Sequence, residues 1–143
     1  MKNKLTEEEE KLIVNAISVA EKRSSGEIRV HIETRCKGDA LDRGADLFFE
    51  LGMEKTRDRN GVLIYVALQD RKLAILGDAG INKVVPDGFW DNAKELMLTH
   101  FKQDRIAEGI EQAVLLAGEQ LSTYFPFKSD DSNELSNQIS RGE

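Results

Sequence analysis

The hydrophobic and polar residues of the chain follow two different periods, and each period predicts a different kind of element. After Thr6, apolar residues recur every three or four positions as far as Ala20, which predicts an amphipathic helix. Thr6 and Glu9 have the spacing of a capping box at its start. Over residues 27–33 apolar and polar residues alternate strictly, which predicts a strand with one face turned to the core.

The same patterns predict two further strands and three further helices. A second helix begins after Asp39, its N-cap, and carries a set of apolar residues on its expected inner side: Leu41, Ala45, Phe48 and Phe49. Residues 61–68 form an unbroken apolar run that predicts a strand buried on both faces, and residues 72–76 follow a short turn as its hairpin partner. Two more helices are expected to begin at Asp87 and Asp104.

The predicted order of elements, α-β-α-β-β-α-α, indicates an α/β fold. The first two strands flank a helix, so we expect them to be parallel with a right-handed crossover, and the third strand to be antiparallel. A small mixed sheet between helical layers, a three-layer α/β/α sandwich, is the predicted architecture. The domain is predicted to span residues 5–127. Residues 128–143 are rich in serine, asparagine and acidic residues, which predicts a polar, disordered tail.

The composition limits the classes of function. The chain has 143 residues, enough for one domain, of which 40% are hydrophobic and 32% are charged. Its net charge of −6 argues against a nucleic-acid-binding protein, which would present a basic face, and favours the attraction of cations. No apolar run approaches the ~18 residues of a membrane span, and the N-terminus lacks a secretory signal pattern. We therefore expect a cytoplasmic protein with no membrane partner.

Common catalytic signatures are missing from the sequence. It contains no phosphate-binding P-loop, no dinucleotide-binding glycine motif and no Gly-x-Ser-x-Gly elbow. Cys36 is the only cysteine, so the chain has neither an internal disulfide nor a multi-cysteine zinc site. His31 and His100 lie far apart and are expected to have structural roles. No catalytic residue is assigned, and side-chain oxygens remain as the candidate chemistry.

Oxygen-bearing side chains collect at one end of the predicted sheet. The first two strands start at that end, and the third strand finishes there. The end holds five candidate metal ligands: Glu27, Asp58, Asn60, Asp78 and, just beyond, Asp87. Gly77 and Gly80 beside Asp78 allow the backbone to bend and to offer carbonyl groups. Such ligands suit a hard divalent cation, with Ca²⁺ the preferred ion and Mg²⁺ or Mn²⁺ as alternatives.

Two alternatives to a metal site at this end of the sheet stay open. Residues 77–80 are also typical of a simple turn, Asp87 of a helix N-cap, and Glu27 of an ion pair with Arg59. A rival site lies at the opposite end of the sheet, where α/β proteins usually bind ligands. The acidic residues at that end are Glu33, Asp39, Asp42 and Asp70.

Four segments of the chain resemble the TPM domain family: SGEIRV at 25–30, RNGVLIYVA at 59–67, DRK at 70–72 and GDAGI at 77–81. The resemblance extends over residues 6–126. It implies an α/β/α sandwich with a divalent-cation site in an acidic cleft, and acid phosphatase activity has been proposed for plant members. By position, it carries Asp78, Asp87 and Glu27 into that site. Many relatives have a signal peptide and a membrane anchor, whereas this sequence is expected to be a stand-alone soluble member.

Three functions follow as hypotheses. The favoured one is a divalent-cation-binding domain in which the metal is structural or regulatory, with a calcium dissociation constant no tighter than about 10⁻⁶ M. The second is a metal-dependent acid phosphatase, in which Arg59 or Arg29 would steady the phosphate. The third is a non-enzymatic interaction module whose acidic cleft receives a basic protein segment.

Overall fold

The computed structural model describes residues 4–127 and 139–142 of the chain. In chain order, its elements are α1 (Glu7–Glu21), β1 (Glu27–Glu33), α2 (Ala40–Glu50), a short 3₁₀ helix (Met53–Lys55), β2 (Gly61–Ala67), β3 (Lys72–Gly77), α3 (Ala79–Asn82), α4 (Phe89–Lys102), α5 (Ile106–Tyr124) and β4 (Ser140–Arg141). All the predicted helices and strands are present in the predicted order. The 3₁₀ helix, the short α3 and the two-residue β4 are additional.

The strands form one mixed sheet in the order β3-β2-β1-β4. β1 and β2 are parallel, with Glu27 paired with Gly61. β2 and β3 are antiparallel, with Val62 opposite Gly77. The starts of β1 and β2 and the end of β3 therefore meet at one end of the sheet, which we call the amino end. The opposite end, where β1 and β2 finish, is the carboxyl end.

Helices cover both faces of the sheet, which confirms the three-layer α/β/α architecture. On one face α1, α4 and α5 form the larger core with alternate strand residues such as Ile28, Val30 and Ile64. On the other face α2 contributes Phe48 to a smaller core that includes Tyr65. Both layers are needed because β2 is buried along its whole length and has no face to give to solvent.

The helix α2 presents a different side to the sheet from the one the sequence predicts. Phe48 is buried as expected, but Leu41 and Phe49 are 56% and 65% exposed. The inner side instead includes Gly44, where a Cβ atom would lie 2.5 Å from Leu76 Cδ1. Glycine at this position lets the helix pack closely on β3. With Gly44 facing the sheet, Leu41 and Phe49 face outwards.

The N-caps of two helices lie one residue later in the chain than predicted. Gly88, with a left-handed φ of 77°, is the N-cap of α4, so Asp87 is not. Arg105 is the N-cap of α5, and Asp104 before it has a left-handed φ of 58°. An aspartate N-cap needs extended backbone to reach the helix amides, and neither aspartate occupies the N-cap position.

The structure differs from the predicted disordered tail at residues 139–142. Ser140 and Arg141 form β4, which pairs in parallel with the outer edge of β1, and Ile139 is buried. Burial of Ile139 and new backbone hydrogen bonds offset the entropy lost in ordering these residues. The rest of the predicted tail, residues 128–138 and 143, lies outside the described residues.

Candidate functional site

Three chain segments meet at the amino end of the sheet, as the strand directions require. Ser25 precedes β1, Asp58 and Asn60 precede β2, and Asp78 follows β3. Ser25 Oγ lies 3.5 Å from Asp58 Oδ2 and 3.4 Å from Asn60 Nδ2. The structure thus brings the predicted residues Asp58 and Asn60 together around a serine hydroxyl that the sequence did not single out.

Asp78 is held by two groups. Its carboxylate accepts a hydrogen bond of 2.7 Å from the backbone N–H of Ala79, as the N-cap of α3. Arg59 donates to both carboxylate oxygens, from Nε at 2.6 Å and from Nη2 at 2.7 Å. The side chain of Asp78 is only 6% exposed, whereas that of Arg59 is 50% exposed. A nearly buried carboxylate is therefore neutralised by an arginine that stands half in solvent.

The loop before β2 is shaped to place Arg59 beside Asp78. Arg59 has a left-handed φ of 51°, and its carbonyl oxygen accepts a hydrogen bond of 2.7 Å from Gly80 N. A Cβ atom at Gly80 would overlap the carbonyl oxygen of Asp58. Gly80 is therefore required for close approach of two backbones rather than for a sharp turn. The GDAGI segment is a helix start packed against this loop.

Glu27, the third predicted acidic ligand, is buried at the start of β1 together with Glu21 from the end of α1. Glu21 Oε2 accepts a hydrogen bond of 2.9 Å from the backbone N–H of Ile28. Burial, together with the nearby Glu27 carboxyl, raises the pKa of Glu21 to about 8. The two carboxyl groups form an acidic pair in the interior of the amino end.

Glu21 is a residue of this region that sequence reasoning missed, although the sequence carried a signal for it. It lies four residues after Ile17 and eight after Ile13, on the apolar side of α1. A glutamate on the core side of an amphipathic helix is unusual and needs a partner. That position alone could have marked it for attention.

Asp87, the fifth predicted residue, lies in the exposed turn between α3 and α4. Nearby, Asn82 donates to the carbonyl oxygen of Gly77 at 2.8 Å and accepts from Trp90 Nε1 at 2.7 Å. These contacts fix the indole ring over the end of β3. Within residues 4–127 and 139–142, no three Asp, Glu, His or Cys side chains come together in a group that could hold a metal ion.

At the carboxyl end, the polar groups form a closed network around Glu33. Its carboxylate accepts hydrogen bonds from Arg43, with Nε at 3.2 Å from both oxygens, and from Tyr65 Oη at 2.6 Å. His31 Nε2 lies 3.2 Å from the same carboxylate. Burial opposes ionisation, but Arg43, Tyr65 and His31 together lower the pKa of Glu33 to about 2.

Two other acidic residues of the rival site, Asp39 and Asp70, have structural partners, whereas Asp42 is exposed on α2. Asp39 is the N-cap of α2 and accepts from Asp42 N at 3.0 Å. Asp70 Oδ2 accepts from the backbone N–H of Cys36 at 2.7 Å. Because these groups cap or brace the backbone, the carboxyl end gives less support to a ligand site than the amino end does.

Comparison with known structures shows a clear relative. The BA42 protein of the psychrophilic bacterium Bizionia argentinensis, solved by NMR, is 50% identical and has a TM-score of 0.88, with 96% of this chain and 95% of that chain covered. The N-terminal domain of a P. gingivalis protein is 22% identical with a TM-score of 0.68, covering 85% of this chain and 78% of that chain. The N-terminal domain of cg2496 from Corynebacterium glutamicum is 15% identical with a TM-score of 0.62, covering 99% and 82%. The last two show a shared fold only.

No curated protein sequence matches the chain significantly. The family model described as "TPM domain" matches residues 1–120, which is most of the chain. That match agrees with the segments at 25–30, 59–67 and 77–81, which build the amino end of the sheet. The chain belongs to the TPM domain family.

Proposed function

We propose that the amino end of the sheet is a weak divalent-cation site in which Arg59 acts as an internal counter-ion. The observation that supports this proposal is the pairing of Asp78 with Arg59. A nearly buried carboxylate would ordinarily have a buried partner, but here the partner is half exposed. Rotation of Arg59 into solvent would free Oδ2 of Asp78 for an incoming cation, while Oδ1 keeps its hydrogen bond from Ala79 N.

The surrounding groups provide the other oxygens that a hard cation prefers. Asp58 supplies a second carboxylate, and the Ser25 hydroxyl supplies a neutral oxygen. The Asn60 amide presents its nitrogen to Ser25, so its oxygen would become a ligand only after the amide turns. These side chains come from the segments before β1, before β2 and after β3. A bound ion would cross-link the three segments, which is a structural or regulatory role.

Asp78 must lose its partner Arg59 before it can bind a metal ion. Both oxygens of Asp78 accept hydrogen bonds, and no third carboxylate joins the group among the described residues. Binding must therefore break the ion pair with Arg59. Few formal charges and a competing internal cation both predict weak binding, with a dissociation constant between about 10⁻⁶ M and 10⁻³ M.

A calcium titration followed by backbone amide NMR tests the proposal, starting from chelator-treated protein. We expect shifts confined to residues 25–27, 58–61 and 77–80. Arg59→Gln should tighten Ca²⁺ binding several-fold, because it removes the competing cation. Asp78→Asn should weaken binding at least tenfold. Asp42→Asn, which changes an exposed carboxylate on α2, is the matched control and should leave the affinity unchanged.

The same titration can contradict the proposal in two ways. Shifts around residues 33–42 and 70 would move the ion to the carboxyl end. An Arg59→Gln variant that binds Ca²⁺ no better than the parent chain would exclude Arg59 as a competing counter-ion. Repeating the series with Mg²⁺ and Mn²⁺ identifies the preferred ion.

The geometry favours a binding role over the phosphatase alternative. A phosphatase needs a nucleophile or a water-activating base with an orienting partner. His31 lies at the carboxyl end of the sheet, and His100 bonds to the carbonyl oxygen of Leu96 within α4. Ser25 has only the long 3.5 Å contact with Asp58 as a candidate activating pair. Hydrolysis of a chromogenic phosphate ester that is abolished by Asp78→Asn would reverse this preference.

The third hypothesis, capture of a basic protein segment by this acidic end, is distinguished by its metal dependence. A protein partner would stay bound in chelator and leave at high salt. The cytoplasmic location inferred from the sequence likewise stays a prediction. In the part of the chain that the structure describes, none of the helices has the length and apolarity needed to span a membrane.

A further inference from the structure

The outer edge of β1 carries a docked segment, residues 139–142, that makes specific contacts with four features of the domain. Ile139 is buried beside α1. Ser140 pairs with His31 in the strand register, and its Oγ lies 2.9 Å from His31 Nδ1. Gly142 N donates to the carbonyl oxygen of Ile32 at 3.0 Å. The segment thus adds a parallel strand to the sheet by main-chain pairing and side-chain contacts.

Arg141 and Glu10 form the charged contact of this docked segment. Arg141 donates to both carboxylate oxygens of Glu10, from Nη1 at 2.7 Å and from Nη2 at 2.6 Å. The two-pronged geometry identifies a guanidinium and not merely a positive charge. Glu10 lies on α1, which forms with the outer edge of β1 the groove that the segment occupies. A cavity of about 640 Å³ remains beside the segment and is lined by Glu10, Ile139 and Arg141.

Gly142 occupies a place that admits no side chain. A Cβ atom there would lie 2.5 Å from Glu33 Oε1 and 2.9 Å from His31 Nε2. Glu33 cannot move aside cheaply, because Arg43 and Tyr65 hold it. The groove therefore selects an extended segment with an apolar residue, a small hydroxyl residue, an arginine and a glycine in that order.

We propose that this groove beside β1 is a docking site for the C-terminal segment in trans as well as in cis, so that a second copy of the chain can supply it. The occupant's chemistry is known because the same sequence is seen in the groove. Its tether, residues 128–138, sets the competition between the two modes. Exchange of an identical element between copies conserves every contact, so it is a low-cost route to a dimer.

The tether also predicts how strong the contact in trans must be. A covalent link as short as residues 128–138 gives an effective concentration on the order of 1 mM. For the segment to be docked about nine-tenths of the time in one chain, its dissociation constant in trans must be about 0.1 mM or tighter. At micromolar protein concentration we expect the parent chain to be monomeric, because the effective concentration of its own segment exceeds that of segments from other chains.

Two charge-reversal variants separate cis from trans docking. Glu10→Arg reverses the charge in the groove and leaves the segment unchanged. Arg141→Glu reverses the charge on the segment and leaves the groove unchanged. In each variant the like charges oppose docking within one chain. When the two variants are mixed, both exchanged contacts pair opposite charges again. We expect a 1:1 complex by analytical ultracentrifugation at about 0.5 mM, with amide shifts of the mixture at residues 10, 31 and 32 returning to the parent positions.

Two controls belong to the same experiment. A single chain carrying both Glu10→Arg and Arg141→Glu restores the contact in cis and should stay monomeric like the parent. Adding Gly142→Val to the Glu10→Arg chain should reduce association in the mixture, because the valine collides with Glu33. Association that survives Gly142→Val unchanged would come from another surface and would overturn the proposal.

A second measurement does not depend on a mixed dimer. A synthetic peptide of residues 136–143 is titrated into a chain carrying Arg141→Glu and Gly142→Val, which leaves the groove vacant. We expect saturable shifts at His31 and Ile32 with a dissociation constant near 0.1 mM, and at least tenfold weaker binding of a peptide with Arg141→Glu. No saturable shifts up to 1 mM peptide, or equal binding of both peptides, would overturn the proposal.

Discussion

The two ends of the sheet bury carboxylates on the same strand but satisfy them in different ways. At the carboxyl end, Glu33 accepts hydrogen bonds from Arg43 and Tyr65. At the amino end, Glu27 lies with a second buried acid, Glu21, whose Oε1 has no hydrogen-bond partner in the structure. The carboxyl end therefore pairs its buried carboxylate with a cation and a hydroxyl donor, whereas the amino end buries two carboxyl groups side by side.

The site we propose at the amino end would reverse the usual preference of α/β sheets. Ligands ordinarily bind beyond the carboxyl ends of parallel strands, where the loops leave a crevice. Here Arg43 from α2 and Gly142 from the docked segment lie against Glu33 and occupy its carboxylate. A cavity of about 440 Å³ beside them is lined by Glu33, Asp39 and Asp42. The amino end is left with short loops whose side chains face one another, and that is where we place ligand binding.

The largest difference between the two ends should appear in the pH dependence of stability. The pKa of Glu21 is about 8 in the folded chain, against an ordinary value of 4.5. A raised carboxyl pKa stabilises the fold below about pH 4.5, and this contribution is lost as the pH rises through 8. The buried pair of Glu21 and Glu27 should therefore lower the free energy of unfolding by about 3 kcal/mol between pH 5 and pH 8.

Urea unfolding at pH 5 and pH 8 measures this loss. Glu21→Gln should flatten the pH dependence and gain stability relative to the parent at pH 8. Glu8→Gln, an exposed position on the same helix, is the control and should keep the parent's slope. If Glu21→Gln and the parent lose the same stability between the two pH values, Glu21 is not the buried acid described here.

The second difference concerns the two arginines. Arg43→Met leaves the buried Glu33 carboxylate without its cation and should cost about 2 kcal/mol at pH 7, allowing for the partial exposure of Arg43. Arg59→Met also leaves a nearly buried carboxylate without its cation, but Arg59 is the more exposed arginine and Asp78 keeps its hydrogen bond from Ala79 N, so we expect a smaller cost. Thermal unfolding of both variants in chelator provides the comparison.

Acidification sharpens this test because Glu33 can then be neutralised by a proton. In the parent chain Glu33, with its pKa of about 2, stabilises the fold above about pH 4.5, and this contribution is lost as the pH falls towards 2. Without Arg43 the carboxyl pKa should rise, so the cost of Arg43→Met should shrink at pH 4. An equal cost at pH 4 and pH 7 would mean that lost packing, not an unpaired charge, destabilises the variant.

The sequence predicted the elements and their directions because those depend on local periodicity and on one crossover rule. It could not show that the polar face of β1 is buried as well as its apolar face. His31 and Glu33 alternate with apolar residues as solvent-facing residues would, yet both are buried. Period-two alternation distinguishes two faces of a strand, but it does not say whether the polar face meets water or a set of partners.

The candidate site was predictable only as far as the strand directions reach. Those directions bring the residues before β1, before β2 and after β3 to one end. Which arginine neutralises which carboxylate depends on side-chain reach across loops, so the pairing of Arg59 with Asp78 had no sequence signal. The docked segment was out of reach for another reason: Ser140 contacts His31 across 109 positions, and a two-residue strand has no period to detect.

Ser25→Ala has the smallest predicted effect on stability, and it tests most directly whether a residue contributes to binding or to folding. Ser25 lies at the amino end with long contacts of 3.5 Å and 3.4 Å, so Ser25→Ala should change the free energy of unfolding by less than about 0.5 kcal/mol. It should nevertheless weaken Ca²⁺ binding several-fold, because a neutral oxygen ligand is lost. Tyr65→Phe is the counterpart at the carboxyl end. It removes the 2.6 Å hydrogen bond to Glu33 and should cost about 1–2 kcal/mol.

Calcium titration and urea unfolding, at one pH and one salt concentration, measure the Ca²⁺ affinity and the free energy of unfolding of both variants. We expect opposite results for the two. Tyr65→Phe should lose stability and keep its Ca²⁺ affinity, and Ser25→Ala should do the reverse. If Ser25→Ala loses as much stability as Tyr65→Phe, its hydroxyl belongs to a structural network like that of Glu33. The Ser25 hydroxyl would then not be available to bind a cation, and the distinction between a binding end and a structural end of the sheet would fail.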